Sequence, residues 1–443
     1  MSHWLILPIL LPLFAGSLLL LPLAERWRRG LSLLAALALI PLSLLLMRTA
    51  ASGDLSVYAL GNWAAPFGIV LMLDRLAALM LLATAVLGSA ALIYALRGDD
   101  RLGKHFHALF QFQLLGINGA FLTGDLFNLF VFFEILLIAS YALLLHGGGA
   151  ERVRSGLHYV ILNLVGSAFF LIAVGTLYGL TGTLNMADMA QKIAMADAER
   201  APLLAAAGLL LLVVFALKAA LLPLYFWLPR AYAAASAPVA ALFAIMTKVG
   251  IYSILRVYTL VFGEAAGELA NLAQAWLWPL ALATLGLGAI GALAARTLQG
   301  LLAYLVVVSA GNPPGWRGVG QRAGAGGVAV LPAAQYLDRR WPVPARRPGR
   351  PPARRQGRRP GPGPGVAESS VARRGFLHRR HRRCRSAAIV GVLRQDHAFA
   401  VGRSRQPGAG PVERGTGQWP GGAGGVEPGR QHAVLAYRAY RAR

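Results

Sequence analysis

The chain has 443 residues, of which 56% are hydrophobic and only 14% charged, with a formal net charge of +25. That balance excludes an ordinary soluble domain and fits a protein that crosses a membrane many times. The charge is unevenly placed. Residues 1–311 hold 17 Lys and Arg against 13 acids, whereas 312–443 hold 26 Arg, no Lys and 5 acids, so two kinds of sequence meet near Gly311.

A helix needs about 20 apolar residues to cross a bilayer. Such runs lie at about 4–23, 31–49, 70–96, 106–123, 126–145, 157–180, 202–222, 239–262 and 272–295, and a tenth begins near 299. They do not alternate as the strands of a membrane barrel would. Residues 1–23 lack a basic start and a small-residue cleavage site, so they are predicted to be the first span rather than a signal peptide. Arg26, Arg28 and Arg29 follow span 1, and Arg97, Arg101 and Lys104 follow span 3. Arg152 and Arg154 follow span 5, Arg230 span 7 and Arg296 span 9, whereas the loop after span 8 carries Glu264 and Glu268. The excess of basic residues in cytoplasmic loops then places the N-terminus outside.

Glu134 stands midway along the fifth run, among Phe132, Phe133, Ile135 and Leu136. A charge at the bilayer centre costs roughly 3 kcal/mol or more, so an intramembrane acid is a functional-site candidate by default. Asp125 and Asn128 open the same run and fit helix capping. Asp74 and Arg75, near the start of span 3, can satisfy partners locally. His158, near the start of span 6, is a secondary candidate on a proton path, with a packed or interfacial seat as the plain alternative. Tyr159 and Asn163 are weaker candidates. In the 182–201 loop, Met186, Met189 and Ile193 share one helical face, which predicts a short interfacial helix.

Span 7 carries Lys218 and, about a turn later, Pro223. Proline removes a backbone donor and clashes with the preceding turn. Broken helices at membrane depth lie buried or line cavities, and in transporters they mark binding sites. A simple kink is the alternative. Lys248 is the lone lysine of span 8, and a lysine taken out of water can release its proton where an arginine cannot. Arg256, further along that span, is predicted to sit near a helix end with its head in water. One acid and two lysines on three spans suggest a relay for protons or cations. The structural alternative is an acid–lysine pair that only fixes helix packing.

Two long runs carry a resemblance. They are Gly124-Asp125-Leu126-Phe127-Asn128-Leu129-Phe130-Val131-Phe132-Phe133-Glu134 and Leu217-Lys218-Ala219-Ala220-Leu221-Leu222-Pro223-Leu224-Tyr225-Phe226-Trp227-Leu228-Pro229-Arg230-Ala231. They resemble the antiporter-like subunits shared by Mrp-type multisubunit Na⁺/H⁺ antiporters and respiratory complex I, with the wording around Glu134 most like the D-type component of Mrp antiporters. Ala235-Ser236-Ala237-Pro238-Val239, Met246-Thr247-Lys248-Val249-Gly250 and Leu301-Leu302-Ala303-Tyr304 continue the likeness, which covers nearly all of 1–311.

The resemblance implies an all-α polytopic fold with two inverted five-helix repeats, each holding a broken helix. Residues 1–100 would form helices 1–3, 101–264 the first repeat and 265–311 the start of a truncated second repeat. Glu134 matches the family's key acid, Lys218 its broken-helix lysine and Lys248 its central lysine. The implied mechanism weakens a Glu134–Lys218 pair on protonation or on arrival of a cation, after which Lys218 interacts with Lys248. The implied partners are other subunits of a bacterial inner-membrane complex, the bilayer, H⁺ and Na⁺ or K⁺, for a transporter subunit rather than a stand-alone enzyme. A proton-pumping subunit of complex I or a membrane-bound hydrogenase, and a non-transporting scaffold, are the rivals. No nucleotide, quinone, haem or metal motif is visible, and the only cysteine, Cys384, leaves no disulfide or cysteine metal site within one chain.

The Arg/Gly/Pro-rich run 312–443 reads as a disordered basic tail, with nucleic-acid or anionic-lipid binding as its functional alternative. A frame change explains it better. Reading the possible codons of residues 385–399 one nucleotide later permits GLPPLSGFFGKTMLL, which resembles the family's twelfth-helix signature, its lysine arising across Gln395. The same shift over 311–340 permits a family-like apolar run. The expectation is an out-of-frame tail without a stable fold, no nucleic-acid partner and no complete relay in this chain.

Overall fold

A computed structural model describes residues 3–53, 55–63 and 66–312. Helices α1 (Leu7–Leu18), α2 (Glu25–Ala51), α3 (Arg75–Ala95), α4 (Phe106–Leu122), α5 (Leu126–Leu145) and α6 (Ala150–Thr181) come first. They are followed by α7 (Met186–Ala194), α8 (Ala201–Ala219), α9 (Trp227–Ala234), α10 (Ala237–Leu260), α11 (Gln274–Ala294) and α12 (Leu298–Ala310). Each of the ten apolar runs contains a helix, and among the described residues seven helical stretches are long and apolar enough to cross a membrane. The protein is a multi-pass membrane protein. Helices α1 and α12 are apolar but shorter. Helix α4 carries buried His107, Gln111, Gln113 and Asn118.

The expected start of span 3 moves. Val70–Leu73 (β2) pairs antiparallel with Ser56–Ala59 (β1), and Asp74 begins α3 by accepting a hydrogen bond from Ala77 N at 2.7 Å. The β2 end bonds onward, with Gly124 N donating to Val70 O at 2.8 Å and Met186 N to Gly124 O at 2.9 Å. A small backbone network thus ties the α4–α5 and α6–α7 turns together at one end of the helices. Asp125 caps α5 as its position implied, accepting from Asn128 N at 2.8 Å.

Two expectations change here. Helix α7 forms, but Met186, Met189 and Ile193 are buried against protein rather than laid on lipid. Arg256 is not turned toward water. It lies part-buried, donating to Asp74 Oδ2 at 2.8 Å and to the Tyr252 hydroxyl at 2.5 Å. The Asp74 acceptor had no sequence neighbour to betray it, so the part-buried guanidinium found its counter-charge across the fold.

At the opposite end Arg29 clamps Asp100 through two bonds of 2.6 and 2.7 Å, and His107 Nε2 lies 3.2 Å from Asp100 Oδ2. Burial acts to raise the Asp100 carboxyl. The bonds to Arg29 and His107 outweigh it and hold the group below its usual range.

Helix α10 is the centre of the bundle. It is buried on every side of its apolar stretch and packs on α3, α4, α5, α8, α9 and α12. Helices α6 and α11 keep exposed apolar faces, with Leu157, Leu164 and Ile172 on one and Trp276, Ile290 and Leu293 on the other. Those faces suit a hydrocarbon surround. The expectations for the run after Asn312 lie outside the described residues.

Candidate functional site

The site is built around a helix that stops inside the protein. Helix α8 ends at Ala219, and Ala220 takes a left-handed conformation (φ 56°), which costs a non-glycine residue about 1 kcal/mol. The break therefore opens before Pro223, which begins a short turn at Leu224–Phe226 leading into α9. The backbone groups it frees are met again. Leu221 N donates to Ala216 O at 2.9 Å, Leu222 N to Thr284 Oγ1 at 2.8 Å, and Trp227 Nε1 to Leu217 O at 3.1 Å. Thr284→Val keeps the shape and removes the acceptor for Leu222. Thermal unfolding of the purified chain should show about 1 kcal/mol lost; no change would mean the break does not depend on α11.

Lys218 occupies the last turn before the break. Glycines let its neighbours close in: a Cβ on Gly166 of α6 would meet Leu217 Cδ2 at 2.6 Å, and one on Gly250 of α10 would meet Ala219 N at 2.5 Å. The Lys218 amine is thereby enclosed, only 4% of the residue being exposed. Its Nζ donates to Ser167 Oγ at 3.2 Å and to Asn163 O at 3.3 Å, and lies 5.9 Å from the centre of the Phe133 ring. Ser167 Oγ in turn donates to Glu134 Oε1. Glu134, on α5, is part-buried. Carboxylate, hydroxyl and amine form one hydrogen-bonded chain across α5, α6 and α8.

Among the described residues no ion pair within 4.0 Å joins Glu134 to Lys218 directly. The expected pair is a triad, with the hydroxyl of Ser167 interposed. Sequence reasoning missed Ser167 because a serine inside an apolar helix is common. The available signal was its spacing of one turn from Asn163 and its place beside Gly166.

Lys248 is buried on α10, and its Nζ donates to Ser309 Oγ on α12. It has no acidic partner among the described residues. The close approach at Gly250 sets α10 against the end of α8, so both lysines lie on touching helices. His158 is not brought to the triad. It precedes Ser167 on α6 by nine positions, about 14 Å along the axis, and its ring lies 5.7 Å from that of Phe226. Tyr159 bonds Ser140, at 2.7 Å between hydroxyls, and Asn163 contributes its carbonyl to Lys218.

The described helices thus gather an acid, a hydroxyl and two amines beside a broken helix, in apolar surroundings where ionisable groups are costly. Residues 123–311 match the family described as NADH:quinone oxidoreductase/Mrp antiporter, transmembrane. The chain is 52% identical over 320 residues to the D-type component of a probable K(+)/H(+) antiporter of Rhizobium meliloti, covering 70% of this chain and 59% of that protein. It is 42% identical over 315 residues to the D-type component of the Na(+)/H(+) antiporter of Bacillus subtilis, covering 70% and 63%. Among solved structures it resembles the Mrp complex from Dietzia sp. (TM-score 0.64, 29% identity, 76% of this chain and 63% of that one). It also resembles respiratory complex I from Thermus thermophilus (TM-score 0.59, 28% identity, 75% and 68%). Over residues 123–311 the chain matches the antiporter-like family shared by Mrp antiporters and complex I. It spans 59% and 63% of the length of these two curated relatives.

Proposed function

We propose that this chain is the D-type membrane component of a multisubunit monovalent cation/proton antiporter, and that Glu134, Lys218 and Lys248 carry its protons. The observation that supports this reading is the hydrogen-bonded chain from Glu134 through Ser167 to Lys218, enclosed by apolar helices at a break. An acid and an amine so joined can exist as a charged pair or as two neutral groups. Shifting between those states moves a proton without leaving a lone charge in hydrocarbon. Lys248, on the helix touching the break, is the next acceptor. Pro223 belongs to the break, and His158 lies toward the end of α6 from which a proton would reach the site.

On this reading residues 101–264 form a complete first repeat, 1–100 its three preceding helices and 265–311 the start of a second. The protein sits in a bacterial inner membrane with its N-terminus outside, beside other subunits of the complex, and exchanges H⁺ for Na⁺ or K⁺. The run after Gly311 is proposed to be out of frame. Resequencing the gene between the codons of Tyr304 and Trp316 tests that: an added or missing base supports it, and an unaltered reading removes it.

Transport is tested in everted membrane vesicles holding the complete complex, with this chain read in the frame that restores a family-like second repeat. Glu134→Gln removes the titrating oxygen and keeps the shape. Cation-dependent release of the proton gradient should fall roughly 100-fold or more. An unchanged rate would favour a scaffold that only holds its neighbours. Loss of NADH-dependent proton pumping instead of antiport would favour a component of complex I.

A further inference from the structure

Ser167 departs from the habit of most hydroxyls inside these helices; Ser89 also departs, donating to Ala36 O of α2 at 3.0 Å. A helical serine or threonine ordinarily donates to a carbonyl one turn back. Thr84, Ser140, Thr176, Ser253 and Ser309 all do so, to Met80, Leu137, Ile172, Val249 and Val306. The corresponding carbonyls for Ser167 are those of Leu164 and Asn163, and Lys218 Nζ donates to the second at 3.3 Å. Ser167 instead gives its hydrogen to Glu134 Oε1 while accepting from Lys218 Nζ at 3.2 Å. A hydroxyl has one hydrogen to give and lone pairs to receive, so it can serve both neighbours at once. Ser309 also accepts from a lysine, Lys248, but spends its hydrogen on Val306 O. That second hydroxyl ends a chain where Ser167 continues one.

We propose that Ser167 is a positioning and proton-passing residue that carries the hydrogen-bonded path between Lys218 and Glu134. The step balances. The Ser167 O–H bond breaks as its proton goes to Glu134 Oε1, and a new O–H bond forms with a proton leaving Lys218 Nζ. A carboxylate and an ammonium become a carboxylic acid and an amine, and the serine is regenerated with its hydrogen replaced. Asn163 O holds the amine in place during the exchange. The inference rests on the relay reading above, and its test is independent of transport.

The full chain, purified into lipid nanodiscs, is studied by infrared difference spectroscopy. The Glu134 carboxyl band is identified by its loss in Glu134→Gln. Ser167→Ala should displace that band, and Ser167→Thr, which keeps the hydroxyl, should return it. Lys218→Met should displace the band in the parent chain and displace it clearly less in the Ser167→Ala background, where only the through-space effect of the charge remains. An unmoved band in Ser167→Ala would overturn the proposal. So would an equal Lys218→Met displacement in both backgrounds, because the hydroxyl would then carry none of the coupling. Failed antiport predictions with this coupling intact would sink the transport reading alone, and an intact antiport result with no coupling would sink Ser167 alone.

Discussion

Lys218→Arg should stop cation/proton exchange as completely as Lys218→Met, by roughly 100-fold or more in the same everted vesicles. The two variants fail for different reasons. Methionine fills the enclosed space and has no proton. Arginine keeps the positive charge beside the chain to Glu134, so it satisfies every purely electrostatic requirement of the break. It does not release a proton in a protein, because its guanidinium stays charged where a lysine amine can be neutral. A lysine whose only duty is to anchor helix packing would be replaced by arginine with modest loss. Measuring exchange and thermal stability together separates these duties. The expected outcome is an arginine variant that folds and does not transport. A transporting Lys218→Arg would show the amine to be a fixed charge and would end the relay reading.

The spans and the three ionisable candidates were legible because each rule behind them is local. A run of about 20 apolar residues has one cheap conformation in a membrane, and a charge inside it has no cheap explanation. What escaped was whatever depends on a partner far along the chain. Arg256 meets Asp74 across 182 positions, so its isolation in span 8 looked like a reason to turn toward water. The Met186 face of α7 had the apolar character of a lipid surface, and the fold used it against protein. The break was marked by Pro223, yet it opens at Ala220, whose left-handed conformation no residue preference announces. Ser167 is the sharpest case. Its type is ordinary, and its meaning comes only from the partners the fold brings to it, Lys218 on one side and Glu134 on the other.

Gly250→Ala should be far more damaging than the gain of one methyl group suggests. The added Cβ would lie 2.5 Å from Ala219 N, 2.8 Å from Ala219 Cα and 2.9 Å from Lys218 C. All three are backbone atoms at the end of α8, so no side chain can rotate away. Helix α10 would have to move off the break, and it is enclosed on all sides, so the strain spreads through the bundle. Overpacking of this kind costs about 1–3 kcal/mol, and Gly250→Val should prevent accumulation of the folded chain. Gly175 of α6 is the internal control, because a Cβ there meets nothing within 4 Å. Gly175→Ala should be neutral or gain about 0.5–1 kcal/mol from better helix propensity. Thermal unfolding of both variants in the same detergent decides the matter. If Gly250→Ala melts with Gly175→Ala, the tight seat of α10 on the broken helix is wrong. The juxtaposition that places Lys248 next after Lys218 would then lose its support.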